Sequence, residues 1–166
     1  CLLIDSESKM LVTGLNHVFL IDRDSGSLLG TFGDGSVIIE NSDLSDDGNM
    51  LIIRYYLSYS PEIWNIRSNK LLYKLPHRFY TQSAMFRPLH NTIFTSCLDK
   101  VRIWNRDNGT LIDSFNVENL EYGSFNKTGK YFLSNSMNAN DFNAAIWNID
   151  AHRKSVIFEG SSYKLN

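Results

Sequence analysis

Through Ser96–Phe115 the chain reads SCLDKVRIWNRDNGTLIDSF. Apolar Val101 and Ile103 alternate with Lys100 and Arg102, the run closes on Trp104, and polarity returns at Asn105. A period of two predicts a half-buried strand, because successive side chains point to opposite faces of a sheet. The Asp-Asn-Gly that follows is turn chemistry, since Asn and Gly adopt positive φ at low cost. Leu111–Phe115 then predicts a second short strand. No segment carries a sustained apolar stripe at i, i+3, i+4 and i+7, so helical repeats fit poorly.

The pattern occurs four times. HVFLID ends at Asp22, PEIWN at Asn65, VRIWN at Asn105 and AAIWN at Asn148, at spacings of 43, 40 and 43 residues. Trp64, Trp104 and Trp147 precede the Asx in three copies, and Ile21 does so in the first. Upstream of each lies an apolar residue, a polar turn and an apolar run: IDSESKMLV from Ile4, LSDDGNMLII from Leu44, FRPLHNTIF from Phe86 and FNKTGKYFL from Phe125. After each Asx comes a turn and a short apolar strand: DSGSLLGTF, RSNKLLYKL, DNGTLIDSF and DAHRKSVIF. Self-similarity near 40 residues predicts a repeat architecture. Each unit predicts four strands, which is a propeller blade, and one such sheet cannot bury both faces without stacked neighbours. The expected fold class is all-β: a β-propeller fragment of about four blades, each a four-stranded antiparallel sheet, with repeat ends near 32, 75, 115 and 158.

At these residues the chain resembles the WD-repeat β-propeller family. IWN stands where the family has a hydrophobic residue, Trp and Asp, and LSDDGNML and FNKTGKYFL resemble its F-S-P-D-G-x-x-L turn. The resemblance runs from about Ile4 to Phe158 and implies that residues 1–166 form one partial WD-repeat propeller. Its structural landmarks are then Ile21, Asp22, Trp64, Asn65, Trp104, Asn105, Trp147 and Asn148. The family usually has an Asp six residues before the Trp, within a His–Ser/Thr–Asp–Trp hydrogen-bonded network. Leu98 and Ser58 hold that place in two repeats, only Asp141 matches, and Gly-His dipeptides are absent. Packing of Trp and the aliphatics is therefore expected to replace much of the polar network. Family members mostly have about seven or eight blades, so four repeats make an arc, and the chain opens at Cys1 within the strand-like CLLID. A longer parent chain is expected, because an arc alone exposes sheet faces and edges.

Composition narrows the chemistry. Lys and Arg number 16 against 18 Asp and Glu, for a net charge of −2, so no electrostatic grip on nucleic acid is implied. Hydrophobic residues make up 43%, enough for a packed domain, and none of the apolar runs approaches the roughly 20 residues that cross a bilayer, so no membrane insertion is expected. Cys1 and Cys97 are too few for a disulfide framework, which favours a reducing compartment, cytoplasmic or nuclear. Cys97 reads as a small core hydrophobe. His17, His77, His90 and His152 lack metal-ligand spacing. No phosphate loop, dinucleotide fingerprint or G-x-S-x-G occurs, so neither a cofactor nor catalysis is expected. Asp46-Asp47, Asp22/Asp24 and the acceptor-like Asn108-Gly109-Thr110 and Asn126-Lys127-Thr128 all read as turns.

The function expected is a non-catalytic interaction scaffold whose partners are other proteins, because a propeller is a rigid disc with loops on two faces. Two clusters offer contacts. Arg54-Tyr55-Tyr56-Leu57-Ser58-Tyr59 mixes core and rim, with at least one of Tyr55 and Tyr56 buried by alternation. His77-Arg78-Phe79-Tyr80 falls in an inter-blade loop, which makes Arg78 and Tyr80 rim candidates. A narrower resemblance concerns Trp64-Asn65-Ile66-Arg67, which is similar to the W-D-x-R box of cullin–RING ubiquitin-ligase substrate receptors, and its surroundings to a blade of the Vpr-binding-protein members. It implies that Arg67 reaches the damaged-DNA-binding adaptor protein. Alternatives are a solvated turn residue at Arg67, an architectural propeller of a coat or trafficking assembly, and an enzyme whose ionisable groups converge on a central channel.

Overall fold

The computed structural model describes residues 2–4, 9–98, 100–116, 122–138 and 141–159, with the backbone alone at 2–4, 122, 135–138, 141–143 and 157–159. These residues form sixteen strands and no helix. The first sheet contains β1 (Leu2–Ile4), β2 (Lys9–Thr13), β3 (Val18–Asp22) and β4 (Leu28–Phe32). The second contains β5 (Ile39–Leu44), β6 (Met50–Tyr55), β7 (Glu62–Asn65) and β8 (Lys70–Lys74). The third contains β9 (Thr81–Phe86), β10 (Thr92–Cys97), β11 (Lys100–Asn105) and β12 (Leu111–Asn116). The fourth contains β13 (Tyr122–Phe125), β14 (Tyr131–Asn138), β15 (Asp141–Asn148) and β16 (Arg153–Glu159). Each is an antiparallel meander in chain order.

The registers are equivalent. Opposite the Trp or its substitute stand Met10 for Ile21, Leu51 for Trp64, Ile93 for Trp104 and Phe132 for Trp147. At that same residue the pairing with the fourth strand slips by one, between Leu20/Ile21, Ile63/Trp64, Ile103/Trp104 and Ile146/Trp147. A bulge adds a residue to one strand and sharpens the local twist. Its fourfold recurrence is a feature that hydrophobic patterning does not reveal.

The turns repeat as well. Asp22 Oδ1 accepts the Ser25 N–H at 2.7 Å and Asn65 Oδ1 the Ser68 N–H at 2.8 Å. Asn105 Oδ1 accepts from Asp107 N at 2.8 Å, and Asn148 Oδ1 from Ala151 N at 3.2 Å. An Asx side chain needs only one oxygen for this, which is why Asp and Asn interchange here. Four residues beyond each Asx the backbone takes positive φ, at Gly26, Asn69, Gly109 and His152. At Gly109 a Cβ would also lie 2.5 Å from the Tyr73 ring.

The cores lie between sheets. Leu11, Leu20, Phe32, Leu51, Ile53 and Tyr55 fill the space between the first and second sheets. Ile52, Ile63, Leu75, Phe86, Ile93 and Trp104 fill the next, and Phe94, Val101, Ile103, Phe132 and Trp147 the third. Strand β6 shows the logic: Leu51, Ile53 and Tyr55 face the first sheet while Ile52 and Met50 face the third. Every tryptophan packs toward the preceding sheet: Trp64 meets Phe32 edge-on at 6.1 Å and Trp147 meets Phe115 at 6.5 Å. Neighbouring sheets come together at or next to their first strands, β2 against β5, β5 against β9 and β9 against β13, so they converge on one side and splay on the other. This is a propeller-like arrangement. Between those first strands Asp43, Phe86 and Phe125 line a cavity of about 350 Å³.

Candidate interaction surface

One end of the sheets carries the loops 33–38, 56–61 and 75–80. Backbone bonds tie them together: Tyr56 N–H to Ile38 C=O, His77 N–H to Tyr59 C=O and Thr81 N–H to Ser58 C=O. Leu57 sits at φ 52°, a strained value for that residue, which turns its side chain outward. Tyr56, Leu57, Tyr59, Phe79, Tyr80 and Leu98 are all exposed here. The Tyr59 and Tyr80 rings meet at 4.6 Å, and the Arg78 guanidinium lies 5.5 Å from the Phe79 ring centre. Two separate sequence clusters therefore form one aromatic surface, with Tyr55 buried beneath and Tyr56 exposed upon it.

Two clefts open beside the Tyr56–Leu57 tip. The cleft of about 260 Å³ between the second and third sheets has Arg54 in its floor. Arg54 is 3% exposed and donates to Glu40 Oε2 at 2.6 Å and to Thr81 C=O at 3.0 Å, so its charge is matched. The cleft of about 380 Å³ toward the first sheet has Glu62 in its floor, with Asp34 and Lys74 around it. Glu62 Oε2 accepts from the Tyr55 hydroxyl at 2.7 Å and from Trp64 Nε1 at 3.0 Å, while Oε1 pairs with Lys74 Nζ at 2.7 Å. Burial, and then the Glu62 carboxylate, pushes the Tyr55 hydroxyl pKa up, so the hydroxyl stays a donor. Hydrogen bonds from Ser36 hold the Asp34 carboxyl below its usual range.

The expectation that packing replaces the polar network around the tryptophans is corrected. Trp104 Nε1 donates to Thr95 Oγ1 at 2.7 Å, Trp147 Nε1 to Ser134 Oγ at 2.9 Å, and Trp64 Nε1 to Glu62. His77 is not a bystander: its Nε2 lies 2.8 Å from Thr95 Oγ1 and its Nδ1 2.7 Å from Leu75 C=O. A buried indole N–H requires an acceptor whatever the motif spells. The side chain of Asp141 lies outside the described residues.

The other site candidates separate. Arg78 and Tyr80 lie on the aromatic face. Trp64 is half-buried in the core, Asn65 caps its turn, and Arg67 is exposed at the opposite end of the sheets. There it borders a cavity of about 460 Å³ with Asp47 and Asp107. Asp47 itself bonds Arg106 at 2.6 Å; burial works against its ionisation, but bonds from Ser45 and Asn49 and the Arg106 charge bring its pKa down to about 2. Cys97 is buried in β10. Among the described residues no group of three or more His, Cys, Asp or Glu is placed to hold a metal ion, and no helix is long and apolar enough to cross a membrane. Sequence reading missed Glu62 and Asp34. A signal for the first existed: Glu62 lies two residues before Trp64, so strand alternation puts its carboxylate on the tryptophan's buried face.

No family model and no curated protein matches the chain. Solved structures do, 1138 chains of them, so the architecture is common and does not discriminate among roles. One is the hydrazine synthase of Kuenenia stuttgartiensis, with a TM-score of 0.79 and 13% identity over 92% of this chain. The chain spans 46% of the length of that one, and the similarity is one of fold.

Proposed function

We propose that the chain is a non-catalytic interaction module of the WD-repeat propeller type, which binds partner proteins through the tyrosine-rich face. The observation that carries this is the convergence of Tyr56, Tyr59, Phe79 and Tyr80 with Leu57 and Leu98 in one exposed surface. Tyrosine brings large contact area at low entropic cost together with a polar end, and it is enriched where proteins meet. A contiguous apolar surface of this kind is uncommon on a face that meets only water. The four equivalent registers, bulges and Asx caps support the assignment of the sheets as repeated blades. Cytoplasm or nucleus is the proposed location. The test is photocrosslinking in cells from benzoylphenylalanine placed at Tyr56, at Tyr80 and, as a control, at Lys127 on the opposite end. A partner segment recovered from the first two sites and not from the third supports the reading; equal crosslinking at all three removes it.

A second reading is a substrate receptor of a cullin–RING ubiquitin ligase. It is favoured by the exposure of Arg67, which makes no ion pair among the described residues, beside the Asn65-capped turn. Co-purification with the damaged-DNA-binding adaptor protein, abolished by Arg67→Ala, is its expected outcome. Binding unchanged by that substitution excludes Arg67 from such a role.

A further inference from the structure

We propose that the cleft between loops 33–38 and 56–61 takes an arginine side chain presented by a partner polypeptide; this rests on the interaction reading above. The cleft, about 380 Å³, is large enough for one long side chain. Its charged groups do not balance: Asp34 and Glu62 face a single cation, Lys74. Asp34 has no ion pair among the described residues, and its carboxylate accepts from the Ser36 N–H and hydroxyl of its own loop, at 2.8 and 2.6 Å. The Glu62 carboxylate is fixed by Tyr55 and Trp64 and already accepts an ammonium group, from the half-exposed Lys74. The exposed rings of Tyr56 and Tyr59 stand at the rim, where a guanidinium stacks favourably.

The adjacent cleft supplies an internal contrast. There the carboxylate of Glu40 is met by the chain's own buried Arg54 guanidinium, which also reaches the Thr81 carbonyl. That cleft is neutral and holds its cation within the fold. The Asp34–Glu62 cleft has the carboxylates without a built-in guanidinium. Arginine fits better than lysine because its five donors can serve separated acceptors at once, whereas Lys74 already provides a point charge.

The test is an NMR titration of the isotope-labelled chain with a short glycine–serine peptide carrying one central arginine, and with its citrulline twin, which keeps the shape and removes the charge. The arginine peptide is expected to shift the amide signals of Asp34, Tyr56 and Tyr59. The citrulline peptide is expected to bind roughly tenfold more weakly, and added salt to narrow the difference. Asp34→Asn keeps an oxygen for Ser36 and so preserves the turn; it is expected to weaken arginine binding several-fold, as is Tyr56→Ala at the exposed rim. Equal binding of the two peptides, or unmoved signals at millimolar arginine peptide, overturns the proposal. If crosslinks form at Tyr56 and Tyr80 while the two peptides bind alike, the interaction face stands and its cationic occupant falls. If the arginine peptide binds here and crosslinking fails, the cleft's preference stands and the protein-interaction reading falls.

Discussion

The second and third sheets solve one problem in two ways. Each buries a tryptophan at the end of its third strand, and each must give the indole N–H an acceptor. In the third sheet the acceptor comes from the neighbouring strand: Thr95, fully buried, stands opposite Arg102, two residues before Trp104. Trp104 Nε1 donates to Thr95 Oγ1, which also lies 2.8 Å from His77 Nε2, and His77 Nδ1–H donates to Leu75 C=O. In the second sheet the equivalent of Thr95 is Ile53, which stands opposite Glu62 and has nothing to offer. The acceptor moves onto the tryptophan's own strand, as the Glu62 carboxylate, with Tyr55 and Lys74 added to satisfy it. The demand of a buried donor is strict, while the strand that meets it is free to vary. The consequence reaches the surface: the second sheet's solution leaves a carboxylate at the floor of a cleft, and the Thr95 hydroxyl of the third does not.

The largest test of this comparison is removal of the rings. Trp104→Ala, at a site 4% exposed, is expected to cost about 3–5 kcal/mol in chemical denaturation, and Trp64→Ala, at a half-buried site, less. Equal losses would mean that the two sites are packed alike despite their different exposure. Next comes the acceptor. Glu62→Ala leaves two buried donors unmatched and is expected to cost roughly 2–4 kcal/mol, against about 1–3 for Thr95→Val. Adding Ile53→Thr to the Glu62→Ala variant transplants the third sheet's solution into the second. Recovery of about 1 kcal/mol in the double variant is expected, and the absence of any coupling would break the equivalence.

A smaller effect concerns the joint between these two sheets. Asp43 Oδ2 accepts the Phe86 N–H at 2.7 Å across it, and burial raises the Asp43 carboxyl pKa to about 6 despite that bond. A carboxyl raised above its unfolded value favours the folded state while protonated, so this contribution is present at low pH and is lost as pH rises from about 4 to about 6. With the group half-buried, the swing is expected to be roughly 1–2 kcal/mol, read as stability against pH, and to vanish in Asp43→Asn, whose amide oxygen still accepts from Phe86. The smallest effect lies in the turns. Asn69 holds φ 50° where the first and third sheets have Gly26 and Gly109. Asn69→Gly is therefore expected to shift stability by no more than about 0.5 kcal/mol in the favourable direction, measured as a rise in Tm; a loss would show that the Asn side chain contributes beyond its backbone conformation.

Much of the candidate surface was legible in part. The clusters around Tyr56 and Tyr80 stood out by composition, and alternation required at least one of Tyr55 and Tyr56 to be buried, as Tyr55 is. That the rings of Tyr59 and Tyr80 meet, and that Arg67 lies at the far end from both, follows from the antiparallel path of β7 and β8, which returns the chain to the aromatic face only at Leu75. Asp34 gave no signal at all, because Asp-Gly-Ser is ordinary turn chemistry wherever it falls.

By itself the sequence determined the strands, their fourfold repetition and the turns that separate them, because alternation and turn chemistry act over a few neighbouring residues. It also determined that the three tryptophans end the third strands of their sheets. Only the tertiary structure decided where each buried N–H finds its acceptor, which charges meet across sheets, and that Asp34, Tyr56, Tyr59 and Glu62 share one cleft. Those partners lie on different strands or loops, and a hydrogen bond or ion pair is satisfied by any group that folding brings within reach. Local pattern fixes the need for a partner, and three-dimensional packing chooses it.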